Sequence, residues 1–151
     1  MATHDVLHGI GVSAGTAAAP AAIVQPAPGV DTSEPGSVDA AADGARVREA
    51  LAAVSSRLTE RAAKAPEETK AILKATAQLA GDRGLAKAVD KKLKKGLGVT
   101  QAVHDAVEDY AQMLRSLGGY MAERATDLYD VRDRAICQLR GLPEPGVPAF
   151  E

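Results

Sequence analysis

The chain has 151 residues and a mass of 15.5 kDa, the size of one domain, and its 46% hydrophobic and 25% charged residues are the mixture of an ordinary globular protein. With 3 Tyr, 1 Phe and no Trp there is too little ring surface to stack bases, and a net charge of −2 supplies no field for a phosphate backbone, which excludes nucleic acid as a partner. A single cysteine, Cys137, rules out an internal disulfide and Cys-x-x-Cys chemistry, the first cation is Arg46, and no apolar run reaches the ~20 residues that span a bilayer, so the expectation is a cytoplasmic protein that contacts no membrane.

Residues 1–36 hold Pro20, Pro26, Pro28 and Pro35 with glycines set between apolar residues, whereas only Pro66 interrupts the stretch from Ser37 to Leu139, which is rich in Ala, Leu, Lys and Glu. The first stretch reads as extended chain and the second as helix. The chain therefore divides into an extended N-terminal segment over 1–36, a helical domain over 37–142 and a tail over 143–151.

Val47, Leu51, Val54, Leu58 and Ala62 recur at helical spacing and predict a first amphipathic helix. Pro66 followed by Glu67 and Glu68 marks a second start, because proline suits the first helical position and acids offset the positive end of the helix dipole. That helix carries Ile72, Leu73, Ala75, Leu79 and Ala80 to Gly81-Asp82, where glycine ends one helix and aspartate caps a short further segment with Leu85, Val89 and Leu93. Lys91, Lys92, Lys94 and Lys95 close it before Gly96 and Gly98, as cations near a helix C-terminus should. Thr100 is the expected cap of a third helix with the seam Val103, Val107, Tyr110, Leu114 and Leu117. Gly118-Gly119 breaks it, and Tyr120, Arg124, Leu128, Val131, Ala135 and Leu139 set out a fourth helix to Gly141. Tight breaks make these helices antiparallel neighbours, so the fold class is all-α, a four-helix bundle of two packed helical hairpins behind an extended N-terminal segment.

Several motifs have a plain structural explanation. In Gly9-Ile10-Gly11-Val12-Ser13-Ala14-Gly15 the third glycine comes too late for a dinucleotide loop and no capped helix follows. His4 and His8 would share a metal only on a helix, which Gly9 and Gly11 disfavour; His104 stands alone beside the third-helix seam. The lysines from Lys87 to Lys95 read as a solvated helix face, and Asp130 with Arg134 as an ordinary i,i+4 surface pair. No nucleophile, acid and base come together, so no catalytic residue, cofactor or metal ligand is assigned. The second helix is different. Ala71, Ile72, Ala75, Thr76 and Leu79 lie along adjoining faces with an acidic start at one end, the make-up of a partner-docking patch.

Three segments together resemble Enzyme I, the phosphoenolpyruvate-protein phosphotransferase family of the bacterial sugar phosphotransferase system: the glycine motif from Gly9 to Gly15, Glu67-Glu68 with Ala71-Ile72, and the more specific Tyr120-Met121-Ala122-Glu123-Arg124-Ala125-Thr126-Asp127 followed by Asp130-Val131 and Arg134. The resemblance runs from Gly9 to about Leu142 and covers the start of the family's length. It implies a helical subdomain inserted after the first strand of an α/β phosphohistidine domain, whose task is to dock the phosphocarrier protein HPr. Glu67 and Glu68 would then face basic residues of HPr, Ala71, Ile72, Ala75, Thr76, Leu79 and Leu85 would line the patch, and Arg124 would lie at or beside it. Thr76 stands where enteric members carry a histidine, and Arg83-Gly84 replaces an acidic pair, which weakens steering by acids.

The family's active histidine motif and its Mg²⁺-dependent phosphoenolpyruvate-binding barrel have no counterpart in this sequence, so the expectation is a chain inactive by itself, with Mg²⁺ required only by the whole enzyme. Residues 6–24 would join the sheet of the missing domain. Two alternatives are a structural bundle that self-associates through the third-helix seam and the equivalent region of a fused multiphosphoryl transfer protein.

Overall fold

Asp39 starts the first helix: its carboxylate accepts from the amides of Ala41 and Ala42 at 3.0 Å, satisfying two of the donors that a helix start leaves unpaired. The computed structural model describes residues 8–16, 18, 24 and 26–146, and among these five α-helices follow in order. Helix α1 (Ala40–Lys64) is followed by α2 (Glu67–Ala80), α3 (Arg83–Leu93), α4 (Val99–Leu117) and α5 (Gly119–Arg140). Pro66 is the residue before α2 and not its first, a shift of one position. The second leg of the bundle is broken as expected, and Asp82 caps the new helix by accepting from the Leu85 amide at 2.9 Å. The hydroxyl of Tyr110 on α4 also donates to Asp82, at 3.2 Å, so one carboxylate ties the break to the neighbouring leg.

α2 and α3 run back along α1, α4 rises beside α3, and α5 descends against α4, α1 and α2. The turns α1–α2 and α4–α5 therefore share one end of the bundle; the α3–α4 connection and the N-terminal connector share the other. Gly118 and Gly119, at φ 70° and 54°, reverse the chain between α4 and α5 in a conformation that side chains with a Cβ avoid. The core is aliphatic, with Leu58, Leu85, Leu93, Leu128 and Ile136 its largest fully buried side chains. Val103, Val107 and Leu114 are buried inside this bundle, which removes the third-helix seam from any self-association. Leu117, the last residue of α4, escapes burial at 65% exposure.

Two expectations about termini and charges are corrected. Thr100 does not cap α4 but lies within its first turn, and the cap comes from the connector: Glu34 Oε2 accepts from both the amide and the hydroxyl of Thr100, each at 2.7 Å. Gly98 permits this approach, since a Cβ there would stand 2.9 Å from the same oxygen. The Asp31 amide donates to Thr100 Oγ1 at 3.2 Å and the Ser37 amide to the Leu97 carbonyl at 3.1 Å, so residues 31–37 lie bonded against the bundle end. Arg134 is not an ordinary surface residue: it is buried, and its guanidinium donates to Asp130 at 2.8 Å and to Glu144 at 3.1 Å. Glu144 also pairs with Arg57 of α1, which fastens the start of the C-terminal tail to the bundle.

Of residues 6–24, expected to form a strand, residues 8–16, 18 and 24 are described and none of them lies in a strand, while His4 and residues 147–151 of the tail fall outside the described residues. Gly9 to Gly15 are described, exposed and without regular secondary structure.

Candidate functional site

α2 begins with Glu67 and Glu68 exposed in its first turn, where they complement the helix dipole; Glu67 also meets Lys70 at 3.3 Å. One turn on, Ala71 is exposed and Ile72 keeps 59% of its surface in solvent, although it is aliphatic. Ala75 and Leu79 are half-buried, and Leu79 packs on the core. Thr76 is only 5% exposed, with its hydroxyl donating back to the Ile72 carbonyl at 3.0 Å, so it supports the helix and shows a partner little. α2 is fixed on α1 from below by Ser55, whose hydroxyl donates to the Ala77 carbonyl at 2.8 Å.

Leu85 leaves the patch. It is 1% exposed, because α3 starts afresh after the Asp82 cap and turns Leu85, Val89 and Leu93 inward as one stripe. The surface expected to run from Glu67 to Leu85 thus ends at Leu79.

Arg124 lies on α5, a packed neighbour of α2. Its guanidinium donates to Asp127 at 2.9 Å, sits 4.7 Å from the centroid of the Tyr120 ring and bonds the Tyr120 hydroxyl, an arrangement that holds it in one place. The sequence reading missed its surroundings. Met113, Tyr120 and Met121 are exposed around the α4–α5 turn, at the same end of the bundle as the start of α2. Met113 and Met121 fall off the core-facing stripes of their helices, and that misfit was the available signal.

No reacting centre accompanies this surface. The Nδ1 of His104 lies 3.2 Å from Asp105 on its own helix, with no nucleophile beside it. The Cys137 thiol is buried, and desolvation, followed by the Asp133 and Glu144 carboxylates, pushes its pKa above the ordinary value, the reverse of an activated thiolate. Among the described residues no three His, Cys, Asp or Glu side chains gather to hold a metal, and no helix is long and apolar enough to cross a membrane. What the arrangement can do is bind: an apolar centre, adaptable methionines and flanking charge are the parts of a protein-docking face.

A two-hairpin helical bundle with an open apolar end is the class of structure that known relatives must match. Residues 8–124 match the family described as PEP-utilising enzyme, N-terminal, and the chain belongs to that family. It is 39% identical over 110 residues to a phosphoenolpyruvate-protein phosphotransferase of Streptomyces coelicolor, covering 73% of this chain and 20% of the relative. A protein of the same description from Haloferax volcanii is 33% identical over 119 residues, covering 71% of this chain and 21% of the relative. The chain thus spans about a fifth of the length of these relatives. Among solved structures, one described as the N-terminal domain of Enzyme 1 - Nitrogen aligns with a TM-score of 0.61 at 27% identity, covering 72% of this chain and 48% of that one. An NMR solution structure of Enzyme I aligns with a TM-score of 0.63 at 27% identity, covering 79% and 50%. The resemblance to the N-terminal region of Enzyme I, and with it the helical fold, is borne out.

Proposed function

We propose that this chain is the part of a phosphoenolpyruvate-protein phosphotransferase that docks the phosphocarrier HPr. Phosphate would pass from a histidine in the remaining domains of Enzyme I to a histidine of HPr during sugar uptake in the cytoplasm. The observation that carries this reading is Ile72, 59% exposed on α2 between the acids Glu67 and Glu68 and the half-buried Leu79. With Met113, Leu117, Tyr120 and Met121 also exposed at this end of the bundle, Ile72 supports an apolar docking patch rather than a lone surface residue. Ala71 and Ala75 give it low surroundings, Met113 and Met121 extend the apolar surface at the same end, and Arg124 stands fixed on the adjoining helix.

In this reading the contribution of the chain is orientation. Holding two histidine-bearing proteins in register removes translational and rotational freedom from the transfer step. In this reading the Mg²⁺ and phosphoenolpyruvate of the whole enzyme would be held by its remaining domains. The chain alone is therefore expected to take no label from radioactive phosphoenolpyruvate.

The test is an amide chemical-shift titration of the labelled chain with HPr from the same organism. Shifts are expected from Glu67 to Leu79 and around Met113, Met121 and Arg124. Ile72→Ala should weaken binding by more than about 1 kcal/mol with helical content unchanged. Saturating HPr that moves no resonance of these residues would overturn the reading.

A further inference from the structure

The segments before α1 and after α5 are attached to the bundle in unequal ways. Residues 31–37 are held at several points. Glu34 Oε2 takes both the amide and the hydroxyl of Thr100, a residue only 2% exposed. Ser37 gives its amide to the Leu97 carbonyl at 3.1 Å and its hydroxyl to Asp43 at 2.7 Å. Gly36 lies so close to the Gly96 carbonyl oxygen that a Cβ would stand 2.3 Å from it. Arg140, the last residue of α5, donates to the Gly29 carbonyl at 3.4 Å and ties that helix end to the same connector. Lifting this connector would strip a buried amide and hydroxyl of their acceptor, which costs the desolvation of both.

The C-terminal segment is held differently. Gly141, left-handed at φ 64°, and the Leu142 amide, which donates to the Cys137 carbonyl at 2.9 Å, complete the end of α5. Beyond them, among the described residues, the hydrogen bonds and ion pairs of 143–146 to the bundle all come from the side chain of Glu144. Its carboxylate meets Arg57 of α1 and, at 3.1 Å, Arg134 of α5. Pro143 and Pro145 flank it, supply no amide donor and hold φ fixed, so this segment is a stiff arm with one fastening. Each arginine also has a second acceptor: Arg57 Nη2 donates to Gln138 at 2.8 Å and Arg134 Nε to Asp130 at 2.8 Å. The Nε of Arg57 is buried beside Glu144 without an aligned hydrogen bond, so that pair is held by charge alone. Breaking an ion pair is expensive when it strands a buried charge. Withdrawing Glu144 strands none, because each guanidinium keeps the acceptor it already has.

We propose that the C-terminal connector is a releasable clip fastened by Glu144, and that residues 31–37 are the fixed mount, which stays in place while the clip opens. Opening lets the chain beyond Leu142 leave the bundle in a new direction without unfolding a helix. The flanking prolines suppress gradual bending, so the arm is either seated on both arginines or free of both, a two-state element rather than a fraying end. The inference does not depend on what the α2 patch binds.

The experiment is nitrogen-15 relaxation of the labelled 151-residue chain. The Glu144 amide and the Nε–H groups of Arg57 and Arg134 report the clip, and the Ser37 and Thr100 amides report the mount. In the unaltered chain the Glu144 amide should have an order parameter near about 0.85, with microsecond-to-millisecond relaxation dispersion at the clip groups and none at the mount. Glu144→Ala should lower the order parameter at position 144 below about 0.6 and abolish dispersion at both arginines. It should leave Ser37, Thr100 and the urea midpoint as they are in the parent. Arg57→Gln removes one of the two pairs and should raise the open population severalfold, read as stronger dispersion at Arg134. An order parameter at position 144 that is the same in parent and Glu144→Ala would show that the carboxylate fastens nothing. Dispersion that reaches Ser37 and Thr100 would make the two connectors one unit, and a parent without dispersion at the clip groups would mean that the clip does not open. Loss of helix by circular dichroism in Glu144→Ala would make the arm part of the fold. Any of these four results overturns the proposal.

Discussion

Ile72 and Leu85 are both aliphatic and both were expected in one patch, yet one is 59% exposed and the other 1%. Their truncations should therefore separate cleanly. Leu85→Ala leaves a cavity where α3 packs on α1 and α4, and urea unfolding should show a loss of about 2–5 kcal/mol. Ile72→Ala removes solvent-exposed carbons and should change stability by less than about 0.5 kcal/mol, with its effect confined to HPr affinity. A Leu85→Ala chain as stable as the parent would place that side chain outside the core. The sequence could rank both residues as apolar but could not orient them. A helical stripe keeps its phase only while the helix is continuous, and the Asp82 cap resets that phase between them. Met113 and Met121 show the converse, since they were readable as apolar residues off the stripe once the stripes were drawn.

At the scale of the element, the breaks were legible because their chemistry is local. Asp82 caps an amide three residues away, Pro66 stands next to the helix it starts, and Gly118-Gly119 form their own turn. The start of α4 was misread for the opposite reason: its capping group, Glu34, is 66 residues from Thr100 in sequence, and only the folded connector brings it there. Asp82→Ala should cost about 1–2 kcal/mol in urea unfolding, at the upper end of cap losses because the Tyr110 hydroxyl loses its acceptor as well. Glu34→Gln keeps the shape but removes the charge from the positive end of α4, and a loss of about 1 kcal/mol is expected. The more telling readout is hydrogen exchange. The Thr100 amide should exchange faster in Glu34→Gln while amides in the middle of α5 do not, and uniform acceleration along the chain would mean that the connector clamp is no local device.

Across the whole molecule, buried or paired groups that hold a proton make stability fall on the alkaline side. Burial raises the Tyr110 hydroxyl above its ordinary value, with the Asp82 carboxylate adding to it, and burial likewise raises the Cys137 thiol, helped by Asp133 and Glu144. Lys92 is raised by its bond to Asp109. All three groups hold their protons more tightly folded than unfolded, so the folded state binds more protons in the window above each ordinary value, and stability falls as pH rises through it. Below the ordinary thiol value of about 8.5 none of them makes stability depend on pH; the loss should begin there with Cys137 and steepen above about 10 as Tyr110 and Lys92 join. Cys137→Ala should delay the onset to about pH 10, and Tyr110→Phe should leave the onset alone and flatten the steeper part. The comparison is the slope of the urea midpoint against pH, because both substitutions also alter packing at every pH. Cys137 and Tyr110 sit on α5 and α4 with separate carboxylate neighbours, so the two changes in slope should add in the double variant. Identical slopes in parent and double variant would show that neither group is coupled to folding, and that the alkaline limb belongs to Lys92.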